Sequence, residues 1–223
     1  MVQVLGETLA LVAGIALSPV PIIAAILMLL SPRARSTAPG FLIGWFVGIV
    51  VALVVFIALA SVLPDAGETG PQPVIGVIKI VLGLLLFVLA IRQWRSRPKK
   101  GEEAKLPGWM ASIDTMKAPR AFILAFLLSA VNPKNLVLAA SAGIIVGSAG
   151  LSVGSIIGVV AILAVIASLT IALPVILYLV ASKRMAGPLD SLRAWLSQNN
   201  AAVMATLFLV FAFVVIGKGL SSF

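Results

Sequence analysis

Long apolar runs constrain this chain more than any other feature. They fall at residues 4–30, 39–63, 74–94, 119–143, 151–181 and 201–217. About 20 predominantly apolar residues in a helix cross the hydrocarbon core of a bilayer, so each run has the length of a membrane span. Helix and chain breakers separate them: Ser31-Pro32, the stretch 64–73 with Pro at both ends, the polar stretch 95–118, the glycines around Gly147 and Gly150, and the polar stretch 183–200. A soluble fold is excluded by composition, because 61% of the 223 residues are hydrophobic, 10% are charged and the mean hydropathy is +1.21. The expected fold is an all-α integral membrane protein with six transmembrane helices. The fifth run contains Pro174 and is expected to tilt or kink near its cytoplasmic end.

Several kinds of chemistry are missing from the sequence. With no Cys and no His, the chain has no disulfides, no thiolate or imidazole metal ligands and no histidine acid–base chemistry. No carboxylate pair or nucleophile–base set can be placed at one depth, and there is no Walker P-loop. Neither an enzyme nor a bound cofactor or metal is expected. The net charge of +9 comes without a basic groove interleaved with aromatics, which argues against nucleic acid.

The basic residues explain the charge as topology. Arg33, Arg35, Arg92, Arg95, Arg97, Lys99, Lys100, Lys105, Lys117, Arg120, Lys183, Arg184 and Arg193 are thirteen of the 16 Lys and Arg, and all fall in or beside the first, third and fifth connections. The positive-inside rule makes that face cytoplasmic, so both termini of a multi-pass protein of the inner (plasma) membrane are expected outside. Glu7, Asp65 and Glu68 fall on the opposite side, with Lys79 and Lys218 near span ends, where they are expected to snorkel. No basic region precedes the first run, which argues against a cleaved signal peptide. Two other segments have apolar residues at helical spacing: Trp109, Ile113 and Met116, and Leu189, Leu192, Trp195 and Leu196. The first reads equally as an interfacial segment or a solvated loop, and the second as a surface helix.

Polar and Pro positions disclose an internal repeat. The stretch 16–25 aligns without gaps on 130–139, matching Ser18-Pro19-Val20-Pro21 to Asn132-Pro133-Lys134-Asn135. Each half has three spans, an odd number, so the two halves must insert in opposite senses. A 3+3 inverted repeat follows, with residues 1–94 and 119–223 as the halves, residues 95–118 as a basic linker, and a Pro-broken first helix in each half.

These breaks are the candidate substrate-binding and gating site: Ser18, Pro19, Pro21, Asn132, Pro133, Lys134 and Asn135. Proline lacks an N–H and frees a carbonyl of the preceding turn, and a freed carbonyl in lipid needs protein, water or a ligand beside it. Helix N-terminal ends at such a break favour an anion. The alternative is two structural kinks satisfied by Ser18, Asn132 and Asn135. Lys134 lies about midway along its run, where a cation costs at least ~2.5 kcal/mol and requires a partner. Glu7, freed carbonyls at the Pro breaks and an anionic part of the substrate are the candidates. Desolvation favours its neutral amine and an anionic partner its ammonium.

Small residues add a packing signal. Gly40, Gly44 and Gly48 make consecutive GxxxG steps, and Gly154 with Gly158 makes another. Such a face packs either within the monomer, the favoured reading, or in a homodimer. Ser168 and Thr170 bond either a neighbouring helix or their own backbone, the commoner outcome.

Together, the six-span layout, the paired Pro breaks, Asn132-Pro133-Lys134-Asn135 and the basic central linker resemble the LysE superfamily of exporters, and within it the GAP branch of glycopeptidolipid- and sulfolipid-addressing (Sap) proteins of mycobacteria and related actinobacteria. Asn132, Pro133 and Lys134 match the superfamily's fourth-span motif. Ser18-Pro19 with Pro21 resembles its first-span counterpart, which in amino-acid exporters more often reads Pro-Gly-Pro, a departure that counts against an amino-acid substrate. The resemblance implies a transporter or accessory factor moving an anionic lipid or glycolipid towards the outer envelope. The other readings are a small-solute exporter of the LysE type and a non-transporting scaffold that recruits envelope-lipid synthesis or export proteins through the basic linker. Electrostatic attraction to anionic inner-leaflet lipids is the plainer account of that linker.

Overall fold

Proline opens a helix more readily than it continues one, because the first turn has no use for its missing N–H. A computed structural model of the chain describes residues 1–60, 73–98 and 108–223, and no strand occurs among the described residues. Helix α1 (Val2–Ala16) ends just before Ser18, and α2 (Pro19–Leu30) begins on Pro19. Next come α3 (Ala34–Ala60) and α4 (Pro73–Arg95), then a short 3₁₀ helix over Gly108–Thr115. Helix α5 (Ala118–Ala130) stops ahead of Asn132, and α6 (Pro133–Gly147) begins on Pro133. The remainder is α7 (Val153–Ala181) and α8 (Arg184–Leu220), continuous except for a non-helical Ala181 at φ −137°, ψ 47°.

The four helices α3, α4, α7 and α8 are long and apolar enough to cross a membrane. Including α1 with α2 and α5 with α6 brings the candidates to six; the first pair is bent by 53° and the second by 61°. The expected breaks in the first and fourth runs are therefore present at Ser18-Pro19 and Asn132-Pro133.

Burial separates the broken helices from the long ones. Helices α2 and α6 are buried on nearly every side, whereas α3, α4, α7 and α8 each turn large apolar side chains outward, among them Val54, Val88, Leu173 and Phe213. A helix apolar all round belongs inside a bundle or a bilayer, and one with a single buried face belongs at the boundary. Glycines set the closest approaches. Gly40, Gly44 and Gly48 of α3 lie against Ala118, Phe122 and Phe126 of α5, while Gly143 and Gly147 of α6 meet Phe56 and Ala60 of α3. Gly76 and Gly83 of α4 meet α8 at Gly219, Ala212 and Ile216. Thus the first glycine stripe packs within the monomer. Among the described residues nothing lies near a Cβ at Gly154, and Gly158 meets the Met1 side chain at van der Waals distance.

Some boundaries differ from the sequence expectation. The second span starts at Ala34 rather than 39, with Pro39 inside the helix; its end at 63 lies outside the described residues, as do Asp65, Glu68, Lys99, Lys100 and Lys105. The break near the end of the fifth run is at Ala181 and not at Pro174. Ile171 and Val175, on either side of that proline, are both fully buried and hold the helix in register, whereas Val180 beside the break is 82% exposed. The separate surface helix expected in 183–200 is instead the first part of α8. Leu189 and Leu196, two turns apart, bury on the same core as Phe208, so the helix keeps one inward face. Ile113 and Met110 of the 3₁₀ helix are buried in the core cluster rather than spread on a surface, and Arg33 Nη1 donates to Thr115 O at 3.0 Å.

Candidate functional site

Each Pro break leaves backbone carbonyls to be accounted for, and the accounting identifies the site. At the end of α1, the Leu17 N–H still reaches Ala13 O at 2.9 Å. Beyond it, Pro19 and Pro21 lack the N–H groups that would meet Ile15 O and Leu17 O in a continuous helix. Three side chains take over the next three carbonyls. Lys134 Nζ donates to Gly14 O at 2.6 Å, Ser18 Oγ donates to Ile15 O at 2.8 Å, and Thr170 Oγ1 donates to Ala16 O at 2.6 Å. Only the serine is local; the other two come from α6 and α7. Lys134 Nζ also donates to Ser18 Oγ, which can accept it because its own hydrogen points to Ile15 O.

Asn132 caps α6 in the ordinary way. Its Oδ1 accepts the Lys134 N–H at 3.0 Å, with Pro133 in the first helical position. Asn135 points its amide back at the end of α5, where Nδ2 donates to Leu128 O at 3.1 Å and Ser129 O at 3.3 Å. Those two carbonyls fix which end of the amide is nitrogen. Asn135 Oδ1 is then buried with no hydrogen-bond partner among the described residues.

Lys134 is 1% exposed, and its Nζ sits at the C-terminal end of α1, where the helix dipole favours a cation. Carbonyl and hydroxyl partners stand where the sequence left a choice of carboxylate, carbonyl or substrate. Glu7 is not that partner; its Oε1 accepts from Gln3 at 3.1 Å. Hydrogen bonds from a charged donor contribute about 1.5–3 kcal/mol each, enough for two of them to offset the insertion cost of the lysine.

Beside this joint lies a cleft of about 280 Å³ lined by Leu89, Arg92 and Gln93 of α4 with Ser96 just past its end, Asn132 with Pro133 and Lys134 at the start of α6, and Phe208 of α8. Of the expected site residues, Ser18 and Lys134 meet directly, and Asn132, Pro133 and Lys134 line the cleft. Pro19, Pro21 and Asn135 are buried and do not line it. Sequence reasoning missed Arg92, Gln93 and Ser96, because it read the basic residues at the end of the third run only as topology signals. The available signal was their spacing: positions 89, 92, 93 and 96 share one helix face.

A family model described as Sap, sulfolipid-1-addressing protein, matches residues 8–221 and so takes in both Pro breaks, the lysine joint and the cleft. The chain belongs to the Sap family. No curated protein and no solved structure matches it. Sap membership gives the chain a lipid-related membrane role, the addressing of sulfolipid-1 in the family's description, and its apolar helices fit a multi-pass membrane protein. In this Sap-family chain the buried lysine borders a cleft that also carries Arg92, Gln93 and Ser96.

Proposed function

We propose that this chain is a membrane carrier of the LysE type that moves an anionic lipid or glycolipid, or assists its export, from the inner leaflet or cytoplasm to the outer envelope. The observation that carries this reading is Lys134, a buried cation that joins the two broken helices through Gly14 O and Ser18 Oγ and lines the cleft. An ammonium has three N–H donors and two are used within the protein. An anion in the cleft competes for this cation, and drawing Lys134 away from Gly14 O loosens the joint between the breaks. Substrate binding is thereby coupled to a change at both helix breaks.

Two further features support a carrier built as six spans in two inverted halves. Bends of 53° and 61° are well short of a right angle, which favours a second half-helix that keeps advancing across the bilayer over one that returns as a re-entrant loop. The packing also crosses between halves: α3 lies on α5 and α6, Thr170 of α7 reaches the end of α1, and α4 lies on α8. An inverted repeat predicts such an exchange of partners.

The test is transport in vesicles reconstituted with the purified protein. Lys134→Met is expected to reduce lipid export at least tenfold, in line with the loss of a charged contact of about 1.5–3 kcal/mol, while the folded monomer is retained. Wild-type export by a well-folded Lys134→Met protein would overturn the reading. The modest cleft also admits a small solute. Efflux of amino acids or similar metabolites, uncompeted by lipid, would replace the lipid reading with that one.

A further inference from the structure

The two cations on the cleft differ in how they are held. Lys134 is nearly inaccessible and bonded twice within the protein. Arg92, which lines the cleft from α4, is exposed, and its guanidinium has no hydrogen-bond or ion-pair partner among the described residues. Arg33 is engaged elsewhere with Thr115 O, Arg193 with Asp190 at 2.7 Å, and Arg97 is stacked 3.2 Å from the centre of the Trp94 ring, while Arg35, Arg95, Arg120 and Arg184 do not line the cleft. No carboxylate lines the cleft among the described residues, and the N-terminal end of α6 adds the positive end of its dipole. Leu89 and Phe208 supply apolar wall, which strengthens any polar contact made beside it.

We infer that Arg92 is the specificity-determining residue of the carrier, holding the sulfate or phosphate ester of an amphipathic substrate while the apolar tails stay outside the cleft. This rests on the carrier reading and adds to it the residue that selects the charge. A planar guanidinium presents paired N–H groups that match two oxygens of such an ester, geometry an ammonium cannot reproduce. Gln93 and Ser96, on the same wall as Arg92, suit the hydroxyls of a neighbouring sugar or glycerol. Size supports recognition of the head alone: about 280 Å³ falls at the small end of ligand pockets, which run from roughly 300 to 1,000 Å³.

The experiment uses the full chain in maltoside micelles, which contain no phosphate ester, and measures binding of a short-chain fluorescent lipid bearing a sulfate ester head, with the unsulfated alcohol of the same lipid as the reference. Arg92→Gln is expected to weaken binding of the sulfated probe at least tenfold and leave the unsulfated probe unaffected. Arg92→Lys restores part of the loss, and Arg97→Gln changes nothing. Inorganic sulfate is then added as competitor. Displacement of the probe by sulfate assigns the site to the anion itself, and retention assigns it to the lipid headgroup with its anchor; both keep Arg92 as the selecting residue. Unchanged binding of the sulfated probe by folded Arg92→Gln overturns the inference. If that happens while Lys134→Met still abolishes export, the carrier reading survives and only the role of Arg92 falls. Loss of binding in Arg92→Gln with no export by the wild-type protein has the reverse meaning.

Discussion

Ser168 and Thr170 are two residues apart on α7, yet their hydroxyls have different consequences. Ser168 Oγ donates to Ala164 O in its own helix at 2.8 Å, a carbonyl already within the backbone ladder, whereas Thr170 Oγ1 is the donor that satisfies Ala16 O at the end of α1. Replacing Thr170 by Val keeps the shape and strands that carbonyl in an apolar interior. A loss of about 1 kcal/mol is expected, since hydrogen bonds between membrane helices average ~0.6 and reach ~1.7 kcal/mol. Ser168→Ala is expected to stay within about 0.5 kcal/mol of wild type. Reversible unfolding by SDS in mixed micelles measures both, and equal losses would refute the assignment. The sequence displayed both hydroxyls and could not separate them, because the choice depends on whether an unsatisfied carbonyl of another helix lies within reach.

At the scale of elements, the same question applies to the two glycine stripes. A Cβ at Gly40 would lie 2.9 Å from Ala118 O, and one at Gly48 would lie 2.9 Å from Phe126 O, both backbone atoms that cannot rotate away. Gly44 faces the backbone of Phe122 in the same manner. Gly44→Ala is therefore expected to force α3 away from α5 and to destabilise by about 1–3 kcal/mol, the usual range for overpacking. Gly154→Ala, with nothing near its Cβ, is expected to be neutral or to stabilise by up to about 1 kcal/mol through helix propensity. The same micelle unfolding experiment decides it, and equal tolerance at both positions would contradict the packing. Both stripes have the same spacing in sequence; the α5 backbone makes one of them indispensable.

For the whole molecule, the number of crossings is the decisive property. Six spans place the turn between α2 and α3 on the face opposite the N-terminus, whereas two re-entrant pairs and four spans would leave both on one face. The chain has no cysteine, so single cysteines report without a background. Gln3→Cys and Ser36→Cys, both at exposed positions, are expected to react with a membrane-impermeant maleimide differently in intact cells: the first from outside, the second only after permeabilisation. The same accessibility at both positions, on either face, would make the first pair re-entrant. The length of α8 bears on the same picture. Thirty-seven residues rise about 55 Å, more than the ~30 Å hydrocarbon core requires, and with six spans its basic first part would extend beyond the core on the side of the other basic connections.

The sequence by itself determined the all-helical membrane character, the positions of the two breaks and the need of Lys134 for a partner. These follow from local properties: the length of an apolar run, the absent N–H of a proline, the cost of a charge in lipid. Only the tertiary structure decided that Lys134 is met by Gly14 and Ser18, that Thr170 serves Ala16, that α7 breaks at Ala181 rather than Pro174, and that Arg92 shares a cleft with the break. Each of those depends on which surfaces of distant segments come together, and in a chain where nearly every helix is apolar, hydrophobic pattern alone does not distinguish one partner from another.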